Sequence, residues 1–371
     1  MLGFDTLYGY LEKNAHRRDE GKFNSILLPF PTMSKSFPGI ERGRLGIVTA
    51  NSGVGKTQLT KFMVFSIIEF CKQNGIPVHV NYYALEQGGM DFATAYLQNW
   101  LKFNRNVEVS SQMLKSLGNN RVPQNILDLI KEARSEYEEA SKSISVVDNI
   151  SNAYGIYKDI RAYAREHGEE EFIKTEEGDM IPIGYKAEDP EAIVINVVDH
   201  ISLLASDKGM TQWETISKFS HHYMLKQVCK RFGHCVIMVQ QQAQDQEKKQ
   251  FGMMNNKLNV DKLLPSLDGL GDCKITQRDA DWVFGLFAPD RYNIDSYGVP
   301  NKGDYDINVW RDNIRFMKIL KDRWHGCANR MLPLFFDGAV NVFQELPAAD
   351  VIKGKEAEVI TNYRDNNLNL Y

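Results

Sequence analysis

The stretch from Arg44 to Gln73 constrains this chain more than any other. Arg44 to Ala50 is an apolar run, Ala50-Asn51-Ser52-Gly53-Val54-Gly55-Lys56-Thr57 follows it, and Lys56 to about Gln73 has helical character until Gly75-Ile76-Pro77 ends it. A buried strand, a glycine-rich turn and a helix in that order match the phosphate-binding P-loop, with alanine in the first position. The spacing has a physical reason. Gly53 and Gly55 allow the backbone to wrap an anion with its N–H groups pointing inward, and the helix then begins at the anion, where its unpaired N–H groups and dipole favour negative charge. The residues expected on the nucleotide are Ser52, Gly53, Val54, Gly55, Lys56, Thr57 and Gln58, with Lys56 on the β- and γ-phosphates and the Thr57 hydroxyl on Mg²⁺.

The rest of the chain supplies a sheet around that loop. Val78 to Leu85, Ile144 to Val147, Ile193 to Val198, Cys235 to Val239, Trp282 to Phe287 and Phe316 to Leu320 read as strands, and Met331 to Phe336 with Val340 to Phe343 as a closing hairpin turned at Asp337-Gly338. Helices are expected over Asp91 to Lys142, Ile156 to His167 and Ile216 to Arg231. The strand–helix–strand order implies an α/β fold with a mainly parallel central sheet flanked by helices. Three segments divide the chain: residues 1–40, a short helix with Phe4, Leu7, Tyr8 and Leu11 on one face and an extended proline-rich connector; residues 41–346, the main domain, with an acidic insertion near 168–190 folded as a hairpin around Gly178-Asp179; and residues 347–371, a polar, peripheral tail. The first helix either packs on its own domain or docks on a neighbouring subunit.

Two acids complete a hydrolytic site. Asp199 ends the apolar run Ile193 to Val198, and a carboxylate at the carboxyl end of a parallel strand faces the ligand crevice. It fits a second Mg²⁺ ligand better than a surface aspartate at a strand exit. Glu86 ends the strand Val78 to Leu85, expected beside the P-loop strand, and suits a general base for water as well as it suits a solvent-facing cap.

Charge and cysteine usage narrow the class. With 44 basic and 48 acidic residues the formal net charge is −4, which excludes a uniformly basic nucleic-acid coat but leaves room for local basic loops. Five cysteines without a CxxC pair point to a reduced, cytoplasmic protein. No run of about 18 apolar residues occurs and no secretory signal is visible, so neither a membrane-spanning helix nor export is expected.

The ordered set of motifs from about Ser25 to Leu346 resembles the RecA-like motor domain of DnaB-type hexameric replicative helicases. Tyr82-Tyr83-Ala84-Leu85-Glu86, Val236-Ile237-Met238-Val239-Gln240-Gln241, Leu270 to Asp281 ending Gln277-Arg278-Asp279-Ala280-Asp281, and Lys321-Asp322-Arg323 carry the resemblance. It implies ATP and Mg²⁺ as ligands, Glu86 as the water-activating acid, Gln241 as a γ-phosphate sensor coupled to a DNA loop, and Lys321 and Arg323 as fingers reaching a neighbour's nucleotide. By themselves those two cations would read as a solvated strand end. It further implies single-stranded DNA in a ring, a hexamer, with primase or a loader as partners and replication as the setting, in the host cytoplasm if the source is a phage. DNA is expected on pore loops, Ser206 to Gln212 and the polar Gln242 to Leu264 with Lys248, Lys249, Lys257 and Lys262, and at Lys274; a solvated charged loop is the plainer reading of the same lysines. The chain departs from the family at Gln240 in place of serine, at Ala243 and Gln244 in place of asparagine and arginine, and at Gly271 in place of the arginine of the DNA-touching turn. Only about 40 residues precede the core, so no primase- or loader-docking collar is expected in that position. The rival expectations are a RecA/RadA-like recombinase and a regulatory or assembly ATPase that does not act on DNA.

Overall fold

The computed structural model describes residues 3–243, 253–254 and 257–365. Its centre is a nine-stranded sheet. In chain order the strands are β1 (Leu45–Ala50), β2 (Val78–Ala84), β3 (Ile144–Val147), β4 (Ile193–Asp199), β5 (Cys235–Gln241), β6 (Trp282–Phe287), β7 (Ile314–Asp322), β8 (Met331–Asp337) and β9 (Val342–Glu345). Their spatial order is β9-β8-β7-β6-β1-β5-β4-β2-β3. The pairs from β6 across to β3 are all parallel, and β7, β8 and β9 add an antiparallel edge. The α/β expectation with a mainly parallel sheet holds.

The order corrects one expectation. β2, which leads to Glu86, does not lie beside the P-loop strand; β4 and β5 stand between them. The reason is burial. The runs Ile193 to Val198 and Cys235 to Val239 are buried on both faces, Asn196 being the polar exception in sequence, and take the centre, where helices cover both sides of a parallel sheet. Alternate residues feed two cores. Val48, Tyr82, Val197, Ile237 and Phe284 pack towards the helix Lys56–Gln73, whereas Ile47, Tyr83, Val198, Met238 and Val283 pack towards the helices Ala153–Glu166 and Gln212–Lys218.

Several local readings change. The proline-rich connector is not extended throughout: Pro31–Ser34 is a short helix that carries its proline in the first turn, while Ile26, Leu28, Phe30, Met33, Phe37 and Ile40 are buried in the main core and Ile26 pairs with Ile40. The packed core therefore takes in residues before position 41. The helix at the start runs from Phe4 to Asp19 and buries none of its residues. The expected helical stretch from Asp91 to Lys142 is four helices, broken by left-handed Asn106 and Gly118 and by Pro123. The helix expected to start at Ile216 starts at Gln212, where Thr211 and Glu214 form a capping box, and it continues as a π-helix over Phe219–Cys229. The acidic insertion is the expected hairpin, Gly168–Lys174 against Met180–Ala187. It is tied down by Glu170, whose side chain is 2% exposed and meets Arg161, Arg165 and Arg231. The tail is less peripheral than its polarity suggests, since Ala349 and Ile352 are buried and Tyr363 packs on Phe335.

Candidate nucleotide site

The P-loop turns where β1 ends. Gly53 has φ +69° and Gly55, which caps the helix Lys56–Gln73, has φ +110°. Both are left-handed conformations that side chains oppose. Arg315 locks the loop from below: it is 2% exposed, its Nε donates to the Val54 carbonyl at 2.8 Å, and its guanidinium lies 4.2 Å from the Phe336 ring centroid. The Val54 side chain turns into the core, so its contribution to an anion is through the backbone alone. Gln58 Nε2 donates to the Gly338 carbonyl at 2.9 Å and ties the helix to the β8–β9 turn.

Above the loop lies a pocket of about 460 Å³. Ser52, Gly53, Gly55, Lys56, Thr57 and Gln58 line it from the loop, and Glu86, His200 and Gln241 line it from the ends of three strands. The structure therefore gathers the loop, Glu86 and Gln241 around one space, and Asp199 stands behind Thr57 in its wall. Lys56 is 8% exposed and its Nζ donates to the Asn51 carbonyl at 3.1 Å.

Asp199 is the best-buried acid of the site, at 2% exposure. Its Oδ1 accepts from Thr57 Oγ1 at 3.1 Å and its Oδ2 from Tyr82 OH at 2.6 Å. Burial pushes the carboxyl above its usual range, and the two hydroxyl donors oppose that push. A buried carboxylate beside a hydroxyl, both hard oxygen donors facing a phosphate loop, is a donor set that fits Mg²⁺. His200 follows it; burial draws its pKa down while the neighbouring acids oppose, and its Nε2 is 3.7 Å from Glu86 Oε2. The Glu86 side chain is half exposed, and it lines the pocket.

Reasoning from the sequence missed Tyr82, His200, Lys61 and Arg315. Lys61 alone carried a signal, being a single charge inside the apolar run from Leu59 to Ile68.

The two cations expected to act as fingers lie elsewhere. Lys321 pairs in register with Val283, and Arg323 N–H reaches the Asp281 carbonyl, both at the entry of β6. Ala50, at the P-loop, is level with Leu286. Five residues of strand, roughly 17 Å, separate Arg323 from the loop of its own chain. Lys321 donates to the Gln277 carbonyl and Arg323 to those of Arg278 and Ala280. Among the expected DNA contacts, Lys274 is exposed on the turn after Leu270, Lys257 lies in a two-residue strand pair, and Lys248 and Lys249 fall outside the described residues. The strand expected to end at Val239 continues through Gln241.

No protein-family model and no curated protein matches this sequence. Solved structures do. The ATPase domain of a DnaB-like helicase superposes with a TM-score of 0.66 at 17% identity, over 93% of this chain and 99% of that one. A DnaB-like replicative helicase, solved for its interactions with primase, gives 0.62 at 17% identity over 94% of this chain and 67% of that one. The fold is that of a DnaB-like helicase ATPase domain. Within a DnaB-like fold the pocket described above sits at the carboxyl ends of the parallel strands, where open α/β sheets take their ligands.

Proposed function

We propose that this chain is an ATP-hydrolysing motor of the helicase type, moving on single-stranded DNA in replication. The observation that carries the proposal is the hydrogen bond from Thr57 to the buried Asp199, at the wall of a pocket that Thr57, Lys56, Glu86 and Gln241 line. In this reading the P-loop amides and Lys56 hold the β- and γ-phosphates of ATP. Thr57 and Asp199 hold Mg²⁺, which when bound offsets the phosphate charge. Glu86 orients water and takes its proton, and Gln241 contacts the γ-phosphate.

Lys321 and Arg323 are too far from their own loop to serve it, so they serve a neighbour's. That requires an assembly, for which we propose a ring, a hexamer, with the exposed Phe4, Leu7, Tyr8 and Leu11 of the first helix as the docking face. DNA would follow the turn bearing Lys274 and the segment bearing Lys248, Lys249 and Lys257, with a primase or loader as a further partner and the cytoplasm as the setting.

The test is Mg²⁺-dependent ATP hydrolysis with and without single-stranded DNA, on wild type and Asp199→Asn. The expected result is hydrolysis stimulated by DNA and lost in the variant. A rate indifferent to DNA would favour a regulatory or assembly ATPase, and open filaments with strand exchange a recombinase.

A further inference from the structure

Lys61 is a cation that the P-loop pattern does not require. It stands four residues after Thr57 on the helix Lys56–Gln73, so the face that brings Thr57 to Asp199 also carries Lys61 along the wall of the pocket. The residue is 4% exposed. Its Nζ donates to Gln87 Oε1 at 2.7 Å and lies 5.7 Å from the Phe92 ring centroid. The charged groups facing it are the carboxylates of Asp199, Asp91 and Glu86 and the ammonium of Lys115, which is itself paired with Asp91.

Gln87 is the residue after Glu86, and the turn they share has two backbone anchors. On one side Leu85 N–H donates to the Asp199 carbonyl at 2.8 Å; on the other the Gly88 carbonyl accepts from Asp91 and Phe92. Glu86 and Gln87 lie between these anchors, both exposed. The Lys61–Gln87 hydrogen bond is the tie that crosses from this turn to the P-loop helix.

We propose that Lys61 is a positioning residue which, by holding Gln87, fixes the Glu86 carboxylate at the distance from the P-loop that water attack needs. This rests on the reading of Glu86 as the water-activating acid. Burial draws the Lys61 ammonium towards its neutral form and the Asp199 and Asp91 carboxylates oppose this, so the donor is kept where a neutral side chain would pack more easily. The consequence is specific: Lys61 acts on the chemical step and not on nucleotide binding, because its partner is the turn of the base and not the phosphate loop.

The experiment compares Lys61→Met, Gln87→Ala, the double variant, and each in a Glu86→Gln background, by ATPase kinetics and by binding of a non-hydrolysable ATP analogue. Lys61→Met and Gln87→Ala should each lower kcat roughly 10-fold, since small misplacements of a reacting group cost that much or more. KM and analogue affinity should stay within about twofold. The double variant should be no worse than either single one, and both changes should be silent with Glu86→Gln. Gln87 is exposed, so Gln87→Ala tests the tie without disturbing the core. Wild-type kcat in both single variants, additive losses, or a loss confined to KM would overturn the proposal while leaving the role of Glu86 intact. Wild-type hydrolysis by Glu86→Gln would instead overturn the role of Glu86, and the proposal with it.

Discussion

Gln240 and Gln241 are neighbours at the end of β5 and face opposite sides of the sheet. The Gln241 side chain lines the nucleotide pocket. The Gln240 side chain is fully buried, donates to the carbonyls of Gly271 at 2.6 Å and Cys273 at 2.9 Å, and accepts from Thr276 Oγ1 at 2.6 Å. The Gln241 carbonyl accepts from Gly271 N–H at 2.8 Å. The strand end is thus hydrogen-bonded to the turn from Gly271 to Thr276, which exposes Asp272 and Lys274. The residue that departs from the family's serine is the one that makes this attachment.

Gln240→Leu should separate the two sites. Buried partners left unpaired cost about 1–3 kcal/mol each before relaxation, so the variant should melt lower than wild type. Its DNA-free ATPase rate should persist, because Gln240 does not line the pocket, while stimulation by single-stranded DNA should weaken. Thermal unfolding together with ATPase assays read this directly; full stimulation in the variant would show that the turn does not transmit.

Truncation should distinguish the two parts of the first 40 residues. Removing residues 1–21 takes away a helix with no buried residue, so the remainder should stay folded and lose self-association. Removing residues 1–40 strips Ile26, Leu28, Phe30, Met33, Phe37 and Ile40 from the core. Large-to-small core changes cost about 2–5 kcal/mol each, so this deletion should abolish folding. Circular dichroism and light scattering on the two truncations check both outcomes.

The phosphate loop, its strand and helix and the Asp199 strand were legible because each combines a motif with a hydrophobic run of the right length. The order of the strands was not. Nothing local tells β2 that β4 and β5 will come between it and β1; that follows from which runs must be covered on both faces. The short helix in the connector was missed because proline opposes a helix interior but is tolerated in the first turn, where Pro31 stands, and its burial was not read although Ile26, Leu28 and Phe30 alternate as a packed extended segment does. Tyr82 and His200 were invisible as site residues, since a tyrosine in a strand and a histidine after one have many ordinary uses, and only the distances to Asp199 and Glu86 single them out.

The acidic hairpin has a pH dependence of its own. Glu170 is buried, which by itself raises its pKa, but hydrogen bonds from Arg161 and Arg165 and the charge of Arg231 outweigh this and hold it below the usual carboxylate value. A folded pKa below the unfolded one means that the unfolded chain binds the proton more tightly. The stabilisation is then full above the unfolded pKa, 4.5 for an unperturbed glutamate, and disappears as pH falls through the depressed folded value. Glu170→Gln should cost about 2 kcal/mol at pH 7. The gap to wild type should close as denaturation is repeated from pH 5 downward; a gap constant with pH would mean that the charge of Glu170 is not what holds the hairpin.

The position of Arg323 makes the sharpest demand on the assembly. Its register puts it level with Asp281, at the far end of the sheet from Lys56, so a single chain cannot bring the two to one phosphate. Assemblies of Lys56→Ala alone should be inactive for want of a nucleotide grip, and those of Arg323→Ala for want of the finger, a contribution worth roughly 10³–10⁵ in rate when supplied from a neighbour. Mixed in equal amounts and allowed to exchange, they create interfaces where an intact loop on an Arg323→Ala subunit meets an intact finger on a Lys56→Ala subunit. Random mixing makes this about one interface in four, so the mixture should recover up to about a quarter of wild-type ATPase activity. The measurement is the steady-state rate across mixing ratios, which should peak near equal amounts. A rate that stays at the level of the separate variants at every ratio would place Arg323 outside the nucleotide site of any neighbour.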